Sequence, residues 1–280
     1  MNFEDKLLLT KIRIQQWYEH WDGQVYVAFS GGKDSTILLH IVRSMYPEVK
    51  AVFNNTGLEF PEIKSFVKSV DNVVWLKPKL NYQDTVKKYG FAVISKEVSQ
   101  KVNELKHTKS EKLRNIRLNG NDKGHGKLAK KWVHLAQAPF DISHKCCDIL
   151  KKNPAKLFEK ETGLKPIVGV MNSESSLRRT QHAKQGCNAY DLARPVSKPL
   201  SYWDEKDIYH YIDINNIKIS KIYEMGYQRT GCAWCAFGVH LEKGENRFQR
   251  LKRTHPKIHN YAINKMGLKE PFDYLGLKYE

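Results

Sequence analysis

The sequence has no apolar run long enough to span a bilayer, and its mean hydropathy is −0.59. A spanning helix needs about 20 such residues, so a transmembrane class is excluded. The opening stretch MNFEDKLLLTKIRIQQWYEHW sets acids, bases and aromatics at helical spacing, so it lacks the apolar centre of a secretory signal and the expected location is cytoplasmic. Acidic side chains are the minority: 30 Asp+Glu face 47 Lys+Arg, leaving a formal charge of +17. That imbalance favours a polyanionic partner, whether nucleic acid, nucleotide or acidic protein, although charge alone does not choose among them. Cysteine is scarce, with five residues. In a cytosolic chain these are expected to be reduced, metal-binding or catalytic rather than disulfide-bonded. There is no internal repeat, no G-x-x-x-x-G-K-[ST] spacing, and no Ser-His-Asp ordering or paired-carboxylate signature.

What is present is an alternation of strands and helices within a chain long enough, at 280 residues, for one large α/β domain or a domain with an appendage. QVYVAF at 24–29 is a β-prone run, and STILLHIVRSM at 35–45 repeats apolar residues at helical intervals. A second strand ends at Asn54 before a helix near Pro61; NVVWLKP and PIVGV are further strands. This pattern predicts a parallel sheet covered by helices on both faces, with ligands at the carboxyl ends of its strands. Residues 96–134 differ in texture. Between Lys101 and His134 ten Lys or Arg face three Asp or Glu, which predicts a mobile basic insertion that meets the partner. The expected division is one nucleotide-binding domain over 1–240 carrying that insertion, followed by a basic, aromatic extension over 241–280.

The most specific stretch is AFSGGKDSTILLH at 28–40. Backbone N–H groups wrap an anion closely only where no Cβ intervenes, which is the use of Gly31 and Gly32 between a strand and a helix N-terminus. Ser30, Lys33, Ser35 and Thr36 add hydroxyl and ammonium donors, and Asp34 is a candidate ligand for Mg²⁺ or its water. S-G-G-K-D-S in this setting resembles the PP-loop of the N-type ATP pyrophosphatases, a Rossmann-like adenine nucleotide alpha hydrolase fold. NNTGLEFPE at 54–62, GVMNSESSLRRTQ at 169–181, KPLSYWDEKDIYHYI at 198–212 and IYEMGYQRTGC at 222–232 resemble segments of the phosphoadenosine phosphosulfate (PAPS) reductase branch. The resemblance runs from about Gln24 to Phe237. It implies that Ser30 to Thr36, with Thr56, Gly57, Glu174 and Ser175, hold an adenine nucleotide with Mg²⁺, and that Lys33, Asp34, Arg178 and Arg179 act in catalysis. Asn55 stands where the family usually has Asp, and Asn172 where it commonly has Arg.

Cys146-Cys147 and Cys232-x-x-Cys235 form the other sharp pattern, since four thiolates suit zinc or a [4Fe–4S] cluster. The arrangement resembles the cluster ligands of adenosine phosphosulfate (APS) reductases and of PP-loop proteins of DNA phosphorothioation. A cluster is favoured over zinc or unbound thiols, with Lys145 and Trp234 beside it. Cys187 reads as an ordinary surface or loop residue, and His255 and His259 as a solvated helix face. The reductases carry a nucleophilic cysteine on an E-C-G-L-H tail, whereas no cysteine follows Cys235 here. The expected function is therefore ATP cleavage to AMP and pyrophosphate through an adenylylated intermediate, coupled to sulfur transfer onto a nucleic acid or related acceptor, with partner subunits a further expectation. The alternatives are an APS or PAPS reductase making sulfite with thioredoxin, and a nucleotide sensor without turnover.

Overall fold

The computed structural model describes all 280 residues as helices, strands and their connections. The chain opens with α1 (Phe3–His20), β1 (Val25–Ala28), α2 (Lys33–Met45), β2 (Lys50–Asn54), α3 (Pro61–Lys68) and β3 (Val73–Leu76). It continues through α4 (Tyr82–Tyr89), β4 (Val93–Ile94), α5 (Lys96–His107) and α6 (Glu111–Asn119). Then come α7 (Asn153–Thr162), β5 (Lys165–Val168), α8 (Ser176–Gln185), β6 (Asn188–Ala189), β7 (Val196–Ser197) and α9 (Glu205–Ile214). β8 (Ala236–Phe237), α10 (Arg247–Thr254), α11 (Pro256–Asn260) and α12 (Lys269–Leu275) complete it.

Two compact units are each assembled from separate stretches. The first takes residues 1–55, 59–77 and 154–230; the second takes 56–58, 78–153 and 231–280. The sequence suggests a linear boundary near 240. The structural units do not follow it, because β8 pairs with β4 and ties the last stretch to residues far earlier in the chain.

The first unit is an α/β sheet of order β3-β2-β1-β5-β7-β6, parallel except for β6, which runs antiparallel to β7. Val27 of β1 lies opposite Ala51 on one side and Ile167 on the other. A central parallel strand is covered on both faces, which is why Val25, Tyr26 and Val27 are buried in succession. α2 packs Ile37, Leu38, Ile41 and Val42 against the sheet side of the core with no exposed area. From α1, Ile14 and Trp17 are fully buried, and Thr10 Oγ1 accepts a 2.9 Å bond from the buried Trp203 indole. β1 sits between β2 and β5, the point where the strand order reverses, and such points are where open α/β sheets bind ligands.

The second unit holds the short parallel pair β4–β8, in which Val93 faces Ala236. The segment expected to be a mobile basic insertion is instead largely helical and packed. Ser95 caps α5, whose Ser99, Val102 and Leu105 are buried, while Lys106 Nζ donates to the carbonyls of Ala138 and Phe140. Apolar residues at helical spacing are present there, but the lysines between them dilute the pattern. In the last stretch Phe248 and Phe272 meet edge to face at 4.6 Å. His259, read as solvated, is 5% exposed and its Nε2 lies 2.7 Å from the Tyr279 carbonyl. No helix is long and apolar enough to cross a membrane.

Candidate functional site

In the first unit the chain leaves β1, passes Ser30, Gly31 and Gly32, and enters α2 at Lys33. The two glycines are needed for different reasons. Gly31 has φ +71°, and a Cβ there would lie 2.7 Å from Val67 and 3.0 Å from Ile63 of α3. Gly32 is extended, yet its Cβ would fall 2.4 Å from Thr230 Oγ1. Gly31→Ala is expected to cost about 1–3 kcal/mol through the left-handed backbone alone, read as a lower urea midpoint; an unchanged midpoint would show that the turn tolerates a side chain.

Hydroxyls tie the turn together. Ser35 Oγ accepts from Ser30 N at 3.1 Å and donates to the Gly32 carbonyl at 2.9 Å, and Thr36 Oγ1 donates to the same carbonyl at 2.9 Å. Gly32 N donates to Ser30 Oγ at 3.3 Å. Ser35 and Thr36, expected as donors toward a phosphate, thus already spend their protons inside the turn and hold its shape.

Lys33 is 5% exposed, with Nζ 3.2 Å from Glu205 Oε1 and 3.5 Å from Asp34 Oδ1, and 5.7 Å from the ring centres of Tyr209 and Tyr223. Burial opposes its charge, but Asp34, Tyr223 and Glu205 outweigh burial and hold its pKa above the ordinary value. Burial pushes the Asp34 carboxyl up, opposed by Lys33 and reinforced by Glu174. Asp34 Oδ1 is buried, and its nearest partner is the Lys33 ammonium at 3.5 Å. A carboxylate oxygen in this position fits a hard divalent cation by its chemistry. Gly169, just beyond β5, lets the bare backbone close on α2: a Cβ there would stand 3.1 Å from the Asp34 carbonyl oxygen and 3.3 Å from Ser35 N.

Glu174 bonds to Met171 N at 3.2 Å and pairs with Arg178 one helical turn on, while Ser175 caps α8 through Arg178 N. Arg179 is exposed on α8. The residue that sequence reasoning missed is Tyr223. Its hydroxyl accepts a 2.7 Å bond from Lys33 N, the first amide of α2, where Gly32 offers no side-chain cap. IYEMGYQRTGC contains two tyrosines, and nothing in their spacing says that Tyr223 is the one that reaches α2.

Thr56 and Gly57 fall in the second unit. Thr56 is buried with Oγ1 accepting from Leu58 N, and Gly57 has φ +84°. The four paired cysteines are also there. Cys146 and Cys147 precede a π-turn over Asp148–Lys152, a local distortion frequent at functional sites, and Cys232 to Cys235 form a tight turn leading into β8. Cys146 is pushed well up by burial and then by Cys232, Cys147 and Cys235, so the other three thiols lie within electrostatic reach of Cys146. The ammonium against them is that of Lys151, which bonds Cys232 and is held protonated chiefly by it. Trp234 lies between Tyr82 and Tyr261, at 6.1 and 5.9 Å, with its indole N–H unpartnered. No three His, Cys, Asp or Glu side chains are placed to hold a single metal ion. Cys187, expected to be a surface or loop residue, lies in the connection between α8 and β6 and is 5% exposed.

The model of the phosphoadenosine phosphosulfate reductase domain matches this chain in two overlapping segments, residues 24–117 and 91–237. The chain belongs to that family. Among curated relatives, an uncharacterized protein of Methanocaldococcus jannaschii is 27% identical over 251 residues, covering 88% of this chain and 42% of its own length. The chain spans half the length of a second relative from that organism. An adenosine 5′-phosphosulfate reductase of Lysinibacillus sphaericus is 22% identical over 244 residues, with 84% of each chain covered. A phosphoadenylyl-sulfate reductase of Candida auris, solved as a phosphate complex, overlaps 79% of this chain and 86% of its own at a TM-score of 0.47 and 17% identity.

Proposed function

We propose that the first unit binds ATP with its phosphates on the Ser30–Thr36 turn and cleaves it between the α and β phosphorus atoms. The observation that carries this is the turn itself: two glycines that no side chain replaces, at the sheet's switch point, with the buried ammonium of Lys33 paired to the Asp34 carboxylate. An acceptor oxygen attacks the α-phosphorus as the bond to the bridging oxygen breaks, and pyrophosphate leaves against Lys33 and the α2 amides. Asp34 would hold Mg²⁺, which would supply charge neutralisation of the phosphate chain. The adenylylated acceptor then loses AMP to a sulfur nucleophile of the sulfide class. The acceptor is a polyanion such as nucleic acid, drawn by the +17 charge. Arg178 and Arg179 serve as the anion clamp, with Glu174 and Ser175 setting their helix. Cys146, Cys147, Cys232 and Cys235 would hold a [4Fe–4S] cluster. Each ligand of such a cluster binds its own iron, and two cysteine pairs whose thiols act electrostatically on Cys146 supply four such ligands.

The reductase of Lysinibacillus favours a second reading, reduction of a sulfonucleotide to sulfite. Anaerobic incubation with Mg²⁺ and, separately, ATP, APS and PAPS with thioredoxin distinguishes the two. AMP and pyrophosphate from ATP support the first; thioredoxin-dependent sulfite with intact ATP overturns it.

Tyr223 gives a sharper test. Its hydroxyl occupies an amide that a phosphate would take, so Tyr223→Phe is expected to tighten ATP binding about fivefold while the unpaired amide destabilises the free protein by about 1–3 kcal/mol. Calorimetric affinity with thermal unfolding checks both; weaker binding would make the hydroxyl itself a ligand contact.

A further inference from the structure

The two units do not share the positive charge evenly. The second unit carries 26 Lys or Arg against 12 Asp or Glu, whereas the first, which holds the phosphate turn, carries 21 against 18. The electrostatic footprint for a polyanion therefore lies on the second unit. Within it, Lys109, Lys112, Lys123, Lys127, Lys130 and Lys131 are exposed, and none pairs with a carboxylate. The backbone that carries the last four is fixed. Asn121 Oδ1 accepts from the amides of Lys123 at 3.1 Å and His125 at 2.8 Å, and Leu128 N donates to the Arg117 carbonyl at 2.7 Å. From α5, Lys101 Nζ donates to the Lys127 carbonyl at 2.9 Å. α6, on which this turn rests, buries none of its residues and leaves Leu118 42% exposed, so little of the unit's own core covers this side.

Rings stand directly beside these cations, on a 3₁₀ helix over Lys130–Gln137. Lys131 Nζ lies 5.0 Å from the Trp132 ring centre, Trp132 meets His240 edge to face at 5.4 Å, and His134 stacks on Tyr274 of α12 at 5.9 Å. Trp132 is half-buried, while His134 and Tyr274 are exposed. Lysines alone would serve any phosphate backbone. Accessible rings between them add stacking that only unpaired bases can use, because a duplex keeps its base faces covered.

We infer that this face of the second unit docks single-stranded nucleic acid, with phosphates on Lys127, Lys130 and Lys131 and bases on Trp132 and the His134–Tyr274 pair. The inference deepens the proposed function and rests on it for the acceptor's role, since it makes the polyanionic acceptor a single strand. Docking itself requires no ATP.

Fluorescence anisotropy of a labelled polypyrimidine single strand, and of a duplex of equal length, measured with the full chain over a range of salt concentrations and without ATP, tests it. The single strand is expected to bind more tightly than the duplex. Lys127→Gln, Lys130→Gln and Lys131→Gln combined should weaken it at least about tenfold and lower its salt slope by about 2, the loss of three phosphate contacts. Arg at the same three positions should keep the affinity, which separates charge from folding. Trp132→Leu, apolar but without a ring, should weaken the single strand roughly fivefold and the duplex little. As a control for net charge, Lys156→Gln, Lys160→Gln and Lys218→Gln remove three exposed, unpaired lysines from the first unit and should change affinity less than about twofold. Equal loss in that control, tighter binding of the duplex, or unchanged affinity in the Lys127/Lys130/Lys131 variant would each overturn the surface. Lysine-dependent binding by a chain that leaves ATP intact would sink the nucleotide proposal and leave the surface standing; ATP cleavage with lysine-independent binding would do the reverse.

Discussion

Lys33→Ala is expected to lower kcat/KM for ATP cleavage roughly 10²- to 10³-fold, the usual consequence of removing one preorganised charge from a developing anion. Lys33 is 5% exposed and is held charged by Asp34, Tyr223 and Glu205 despite burial, so its ammonium is fixed before substrate arrives. The loss should appear mainly in kcat, because the departing pyrophosphate gains charge at the transition state more than ATP does in the ground state. Removing the ammonium also leaves Asp34 without its stabilising cation, so Asp34 shifts further toward the protonated form and holds Mg²⁺ less well. Unfolding curves for the variant separate this from a folding defect. Turnover within threefold of wild type, with the variant fully folded, would remove Lys33 from the chemistry.

The second large effect concerns the thiols. Wild type reconstituted anaerobically with iron and sulfide is expected to bind about four irons per chain, and Cys232→Ser or Cys146→Ser to retain little of that iron. Iron analysis and visible absorption report this without any assay of activity. Among the thiols Cys232 acts most strongly on both Cys146 and the Lys151 ammonium, so Cys146 and Cys232 sit inside the group rather than at its margin. Cys187→Ser, altered in the other unit, should keep the full iron content. Tight zinc in wild type with no iron uptake would replace the cluster with the zinc alternative.

The strand–turn–helix at the phosphate turn was legible because its signals are local. A continuous apolar run, two glycines and a helical period lie within about twenty residues, and β1, α2 and β2 fall where the periodicity puts them. β6 and β7 were not legible: each pairs for only two residues at a sheet edge, too short for an alternation to declare itself. α5 was obscured because Lys101 and Lys106 surround Val102 and Leu105, and burial of an amphipathic helix depends on a partner surface that local pattern does not describe. Lys145 was the lysine expected beside the cysteines, yet the π-turn carries Lys151 to Cys232. Tyr223 and Glu205 reach Lys33 across nearly two hundred residues, and no spacing rule encodes a contact of that range.

The most direct test of ATP on the phosphate turn is amide nuclear magnetic resonance of the full chain during titration with Mg²⁺ and a non-hydrolysable ATP analogue. The largest shifts are expected at Gly31, Gly32 and Lys33, with Lys33 N–H changing as it exchanges the Tyr223 hydroxyl for a phosphate oxygen. Saturable binding that leaves those three amides unmoved, or no binding at all, would contradict it.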